Sequence, residues 1–459
     1  MKSLGSSHHS TINRLSIRSI SHLYRTVIQL GVQALCVGLA WVGGMVHAQT
    51  PWQSNVAAPV QVHVQPPLRV SVAEWVDVIL QVHPQVRARL EEARAADADV
   101  RAARWQYWPT PSLSTDTLRG QSASVARLSQ PLWDGGKISA GVSQADIRRQ
   151  LSLINLRETE HELAAKVLGY WQAFSVQEAR VLVFERGMQS LQDLDELMSR
   201  RTEAGVSAQA DLTLARVRLT QTRADLLQAR AARAAALSQL RQLAMQEVEP
   251  GQVSRQLPPL PHPDESIDAL REQSRRQHPV VERLKWQRDL QQAELAGLRA
   301  ELWPNLSLRA ERQRGQVEGT LAEGHRLYAS VQFSLGAGAS VMPRLEAAQV
   351  RTQAFEQQQE STLKELDERL IQDWQEYASL RLRLPDLHTV QSTAQELTES
   401  SKRLFVTGRK SWLDLQNALR EQLQAELAWI EAQAVAEAMR YRLALHAGVA
   451  FWRAGVEAR

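Results

Sequence analysis

Trp303-Pro304-Asn305-Leu306-Ser307-Leu308-Arg309-Ala310-Glu311-Arg312 is the stretch whose reading decides the fold. Leu306, Leu308 and Ala310 alternate with Ser307, Arg309 and Glu311. A period of two, apolar on one side and polar on the other, is the pattern of a β-strand. Downstream, Leu327, Ala329, Val331, Phe333 and Leu335 alternate with Tyr328, Ser330, Gln332 and Ser334. Strands are therefore predicted over 305–314 and 326–335. Each is about ten residues long, the length of a tilted strand that crosses an outer membrane. On either side lie stretches rich in Ala, Leu, Gln, Arg and Glu, all strong helix formers. No Pro occurs between Pro131 and Pro250, and none after Pro385. The predicted class is mainly α with a small β part.

Moving outward, the punctuation occurs twice. Trp303-Pro304 and His278-Pro279 repeat Trp108-Pro109 and His83-Pro84 at an offset of 195 residues. Further on the offset is 203: Trp374-Gln375 repeats Trp171-Gln172, Gly408 repeats Gly205, Asp414-Leu415 repeats Asp211-Leu212, and Ala447 repeats Ala244. Gly338, Ala348, Arg351 and Gln353 repeat Gly135, Ala145, Arg148 and Gln150 in the same register. An internal duplication of roughly 200 residues implies two equivalent parts packed side by side.

The domain boundaries follow. Residues 1–48 are expected to be a signal peptide: Arg25 precedes an apolar run from Val27 to about Met45, and Val46-His47-Ala48 is a small-residue exit. The alternative is a single transmembrane anchor. The 25 residues ahead of the run are long for an n-region, so a start codon downstream of Met1 is a further expectation. The only cysteine, Cys36, lies inside the signal, after a Leu35 too large for a lipoprotein cleavage site. The mature chain would be cysteine-free, which suits an oxidising compartment. A linker covers 49–68, the first repeat 69–249, a Pro-rich connector 250–264, the second repeat 265–447 and a tail 448–459.

The first repeat reads as a helix from about Val72 to Tyr107, kinked or started late by Pro84. Strands near 111–119 and 123–132 follow. A long helix then runs from about Gly136 to Arg201, about 100 Å at 1.5 Å per residue. After Gly205, Ser207 is the expected N-cap of a helix that reaches about Glu247. The second repeat reads as helix 265–302, the two strands, helix 340–403 interrupted at Pro385, and helix 411–447. Two hairpins supply four strands, too few to close a barrel alone, and an open edge cannot face lipid. Other copies of the chain must complete it. A β-hairpin on a soluble protein is the rival reading.

At this point the pattern resembles the TolC family of outer-membrane channel proteins, over about residues 70–447. The resemblance rests on the paired His-Pro and Trp-Pro motifs and on Ser129-Gln130-Pro131-Leu132-Trp133-Asp134-Gly135-Gly136 at a strand-to-helix junction. It rests also on Glu203-Ala204-Gly205-Val206-Ser207 with Asp211-Leu212, and on Phe405-Val406-Thr407-Gly408-Arg409-Lys410-Ser411 with Asp414-Leu415. It implies a homotrimer whose four strands per chain form a twelve-stranded barrel in the outer membrane of a Gram-negative bacterium. The helices would continue as a tunnel into the periplasm.

The resemblance implies that the tips at Gly205, Val206, Ser207, Gly408, Arg409, Lys410 and Ser411 meet a periplasmic adaptor. That adaptor would be coupled to an inner-membrane ABC or proton-driven transporter. It implies too that Asp414 belongs to a constriction near the periplasmic mouth, with Asn417 at the second family position, where a carboxylate is missing, and Asp211 as the first-half counterpart. Asp414 and Asp211 equally suit the positive end of a helix, in whose first turn they lie. Ala224, Ala231 and Ala235 share a helix face, either for close packing or from helix propensity alone. Arg216, Arg218, Arg223, Arg230 and Arg233 read as a solvated or lumen face.

Lys and Arg number 54 against 50 Asp and Glu, a net charge of +4. This mixed balance gives no nucleic-acid footprint. His161-Glu162 lacks a second His at zincin spacing, Gly336-Ala337-Gly338 lacks a third glycine, and no Walker A run occurs. The expected protein is neither an enzyme nor the holder of a cofactor or metal; energy must come from a partner. The expectation is a passive outer-membrane exit duct, tilted by the Leu335-Gly336-Ala337-Gly338 junction towards type I protein secretion. Multidrug or metal efflux is the alternative within the class. A soluble periplasmic coiled-coil adaptor or scaffold is the alternative outside it.

Overall fold

His83 and His278 each separate two helices. Pro fixes φ near its helical value and lacks an N–H, so it suits the first position of a helix. The computed structural model accordingly has α1 (Val72–Val82) and α2 (Pro84–Trp105) where the sequence suggested one kinked helix. The same break divides α5 (Ile267–Gln277) from α6 (Pro279–Ala300), which the sequence reading had joined. At both breaks the imidazole accepts the second free N–H: Gln85 N donates to His83 Nδ1 at 3.3 Å and Val280 N to His278 Nδ1 at 3.2 Å.

The structure describes residues 71–118, 121–248, 253, 266–317, 320–321, 324–334 and 336–453. The signal peptide with Cys36, the linker, most of the connector, Leu335 and the last part of the tail lie outside the described residues. After α2 come strands β1 (Thr110–Leu118) and β2 (Gln121–Trp133), then the 67-residue helix α3 (Lys137–Glu203) and α4 (Gln209–Ala244). After α6 come β3 (Asn305–Val317), a two-residue β4 (Thr320–Leu321) and β5 (Gly324–Gln332). The 66-residue α7 (Val341–Val406) and α8 (Trp412–His446) complete the order. Pro385 sits inside α7 without ending it. A proline removes one intrahelical hydrogen bond, and the remaining ladder of so long a helix carries the chain across, so the expected interruption does not occur.

The strands form one antiparallel sheet in the order β1-β2-β3-β5, with β4 pairing the outer end of β3. The β2–β3 pair joins the two halves of the chain, and its register shifts between Pro131 and Trp133. Pro131 has no N–H to give a ladder, which suits it to such an irregularity. Leu128, Ala310 and Leu327 line up across β2, β3 and β5. The apolar face is left uncovered: Leu113 is 76% exposed, Leu327 66% and Val331 70%.

Below the sheet, Trp133-Asp134-Gly135-Gly136 turns the chain into α3. The Asp134 carboxylate accepts from Gly136 N at 3.0 Å and Ile138 N at 2.5 Å, satisfying donors that a helix start leaves free. Gly135 has φ +66°, and a Cβ there would lie 2.4 Å from Trp303 Cβ. Lys137 Nζ reaches Asn305 Oδ1 at 3.0 Å, tying the start of α3 to the start of β3.

The helices are held side by side by α3, which packs on α2, α4, α6 and α8, while α7 packs on α6 and α8. Two crossed ion pairs, Arg157–Glu282 at 2.6 Å and Arg283–Glu158 at 2.7 Å, join α3 to α6. Partly solvated pairs of this kind contribute little each; burial does more. The largest core wraps α1 around α3: Trp75, Val76 and Ile79 meet Val167, Leu168, Trp171 and Phe174, with Leu237 and Leu240 of α4 and Tyr441 of α8. Each such side chain contributes roughly 1.5–3 kcal/mol when fully buried. Phe451 and Trp452, past α8, close this core. His161 stacks edge-on against Trp452 at 5.2 Å and lies 6.3 Å from His278. Burial, then Arg157 and Arg453, pushes His161 down to about 4; burial, then His161 and His446, pushes His278 down to about 3.

Candidate functional site

The ends of the two long hairpins form the first part of the site. At the α3–α4 tip Gly205 has φ +73°, and at the α7–α8 tip Gly408 has φ +75°. Val206 N donates to Arg201 O at 2.8 Å and Gly205 N to Thr202 O at 3.0 Å. Arg409 N donates to Leu404 O at 2.9 Å and Gly408 N to Phe405 O at 3.0 Å. Both turns are Schellman caps, which require a left-handed residue at the glycine position. A Cβ at either glycine would meet no atom within 4 Å, so the backbone angle alone demands glycine there.

The two tips lie together. Leu194, Met198, Leu212 and Ala215 of the first hairpin share one apolar cluster with Phe405, Trp412 and Leu415 of the second. The Arg201 guanidinium lies 4.9 Å from the Phe405 ring centre, joining the tips by a cation–π contact. Sequence reasoning missed this cluster. Its trace was the Leu of the repeated Asp-Leu pair, which is apolar and one turn past each cap.

The predicted tip residues divide. Val206 is 63% exposed, and Gly205, Gly408, Arg409 and Ser411 are exposed as well. Ser207 is half-buried and is not the cap of α4: that position belongs to Ala208, with no side-chain bond, and Ser207 Oγ accepts instead from Arg201 Nε at 3.2 Å. The arginine draws the hydroxyl away from the helix start. Lys410 is half-buried, its ammonium donating to Ser401 Oγ at 2.8 Å. Val406 and Leu413, unforeseen, add exposed apolar surface at the second tip.

Asp414 is exposed and closes a capping box on α8: Ser411 Oγ donates to it at 2.6 Å and Ser411 N at 3.2 Å, while Asp414 N donates to Ser411 Oγ at 3.1 Å. The hydroxyl and amide of Ser411 hold its carboxyl below the usual carboxylate range. Asn417 is exposed one turn further along α8. Asp211 occupies the first turn of α4 without such a box.

On α4 three of the five arginines pair with α3: Arg216 with Asp195, Arg230 with Glu185 and Arg233 with Glu178. Arg218 and Arg223 are exposed. Ala224, Ala231 and Ala235 are exposed together with Val217, so their face of α4 is bare. Leu382, Val390 and Leu397 of α7 are bare too. No helix among the described residues is long and apolar enough to cross a membrane; that leaves the strands untouched as candidates.

Residues 75–244 match the family model of the outer membrane efflux proteins. The fold matches solved channels over most of both chains. Against the CusC structure the identity is 15% over 83% of this chain and 93% of that one, with a TM-score of 0.72. For the outer membrane protein VceC of Vibrio cholerae the figures are 14%, 82%, 96% and 0.70. For the open MtrE outer membrane channel of Neisseria gonorrhoeae they are 17%, 83%, 89% and 0.67. The chain has the fold of these solved outer-membrane channels. A search of curated proteins finds no match.

Proposed function

We propose that the protein is the trimeric exit duct of a tripartite export system. It would conduct cargo passively from an inner-membrane transporter and a periplasmic adaptor to the exterior. One observation carries the reading: a four-stranded sheet, apolar and uncovered on one face, whose end strands β1 and β5 each have one neighbour among the described residues. In lipid such edges leave backbone groups unpaired at several kcal/mol each. Three copies joined edge to edge make twelve strands and leave no edge. The bare faces of α4 and α7 then cover one another between protomers, and the helices form the tunnel.

The two halves are the products of a duplication, 69–249 and 265–447, joined by 250–264, behind a cleaved signal 1–48, a linker 49–68 and ahead of a tail 448–459. The tips around Gly205, Val206, Gly408 and Arg409 meet the adaptor. Asp414 lines the periplasmic mouth, and its capping bonds keep it ionised there. Opening moves the tips apart, driven by adaptor contacts that favour the open state.

For cargo, type I protein secretion remains our reading. Efflux of small molecules is the second reading, favoured by the description of the matched family. Outer-membrane fractionation with a heat-sensitive trimer on gels tests the duct. A protein that stays soluble without detergent would overturn it and favour the coiled-coil scaffold. Cysteines at Val206 or Arg409 are expected to cross-link to a co-expressed adaptor, and their repeated failure with a verified partner would remove the tip assignment.

A further inference from the structure

The polar face of the sheet is far from neutral. Ser112, Arg127, Glu311 and Arg326 stand in one row across β1, β2, β3 and β5. In the adjacent row on the same face stand Arg309 and Tyr328. Glu311 is committed: it pairs with Arg127 and accepts from Tyr328 Oη at 2.7 Å. Arg309 has no carboxylate opposite it in the register, where it faces Tyr328, and Arg326 faces only Glu311, which is already paired with Arg127. The Arg309 Nε is buried without a hydrogen-bond partner. In these two rows one carboxylate thus answers three guanidiniums, an excess of two positive charges per chain; Asp116, a second carboxylate on this face, stands two rows further along, in line with Ala123 and Gly315.

We propose that these arginines form a basic collar inside the barrel that selects anionic cargo. The inference rests on the trimeric duct. There the apolar face meets lipid and the polar face lines the bore, so three copies place six unbalanced guanidiniums around one ring. Rings of Arg or Lys are the device of anion-passing pores. A low-dielectric wall concentrates counter-ions inside such a bore. Arg keeps its charge throughout the working pH range, so the collar cannot be switched off by titration. The chemical class selected is an anion: an acidic polypeptide segment or a carboxylate-bearing small molecule. Asp414 at the opposite end carries the other sign, so its contribution must be removed before the collar is read.

The test is the reversal potential of the full-length protein in planar bilayers under a potassium chloride gradient, in an Asp414→Asn background. The parent is expected to prefer chloride. Adding Arg309→Gln and Arg326→Gln is expected to lower the chloride-to-potassium permeability ratio by roughly threefold or more, as screened charges at pore dimensions would. Glu311→Gln, which frees Arg127, should raise it. A cation preference in the parent, or an unchanged ratio in the double variant, overturns the collar. Heat-sensitive trimers on gels show that each variant assembles. No conductance from any variant, with no trimer, sinks the duct itself rather than the collar.

Discussion

The two hairpin tips have the same backbone and different chemistry. Both end a long helix in a Schellman turn on a glycine of positive φ. The second tip starts α8 with a Ser411–Asp414 capping box; the first starts α4 from Ala208 with no side-chain cap, its serine taken by Arg201. The His-Pro breaks differ in the same way. His83 and His278 cap identically, but His83 is lowered by burial and Lys166, while His278 is more deeply buried and is lowered much further. The two halves share what the backbone requires at these turns and differ in the side-chain partners.

The shared cluster under the tips should respond most. Leu415→Ala, at a fully buried site, is expected to cost about 2–5 kcal/mol of local stability, read as hydrogen-exchange opening of the α7–α8 tip. Leu212→Ala, its counterpart, should weaken both tips because the cluster spans them. If either change is confined to its own hairpin, the joint cluster is wrong.

Acid should act next, and above all where His161 of the first half meets His278 of the second. His161 and His278 titrate near 4 and 3 in the fold against an ordinary 6.5, so the unfolded chain binds protons first as pH falls. The stability they contribute is complete above about pH 6.5 and is lost as pH drops from there towards 4 and then 3. Arg157, Arg453 and His446 face these rings and oppose their charging. Thermal melting across this window should show a smaller loss in His161→Phe than in the parent; an equal loss would deny the buried pair its role.

Gly205→Ala and Gly408→Ala should each cost about 1–2 kcal/mol, the penalty of a left-handed L-residue. The two costs should match, since neither added methyl meets a neighbour. Unequal losses would reveal a packing difference that the turns do not contain. Smaller still is the cap contrast: Ser411→Ala is expected to cost about 1 kcal/mol, and Ser207→Ala, which caps nothing, less. Exchange at the first turns of α8 and α4 reports both, and equal effects would erase the distinction between the tips.

Much of this was legible because it is written in periodicity and punctuation. The alternation 305–314, the Trp-Pro pairs and the paired glycines located the strands and turns to within a few residues. What escaped depends on partners distant in sequence. Ser207 looked like a cap because nothing local announced Arg201 as a donor to its hydroxyl. Pro385 looked like a break because the sequence does not reveal how much ladder a 66-residue helix retains around it. Helix 265–302 looked continuous because His278-Pro279 was read as a motif and not as a cap with a new first turn. The meeting of Phe405 with Arg201 could not be read locally at all, since it joins residues about 200 positions apart.

The central claim is that β1 and β5 find their missing neighbours on other copies of the chain. Native mass spectrometry of the detergent-purified protein measures the number of copies directly. The account predicts three chains per particle, falling to one on heating. A stable single chain, sheet edges and all, would contradict it.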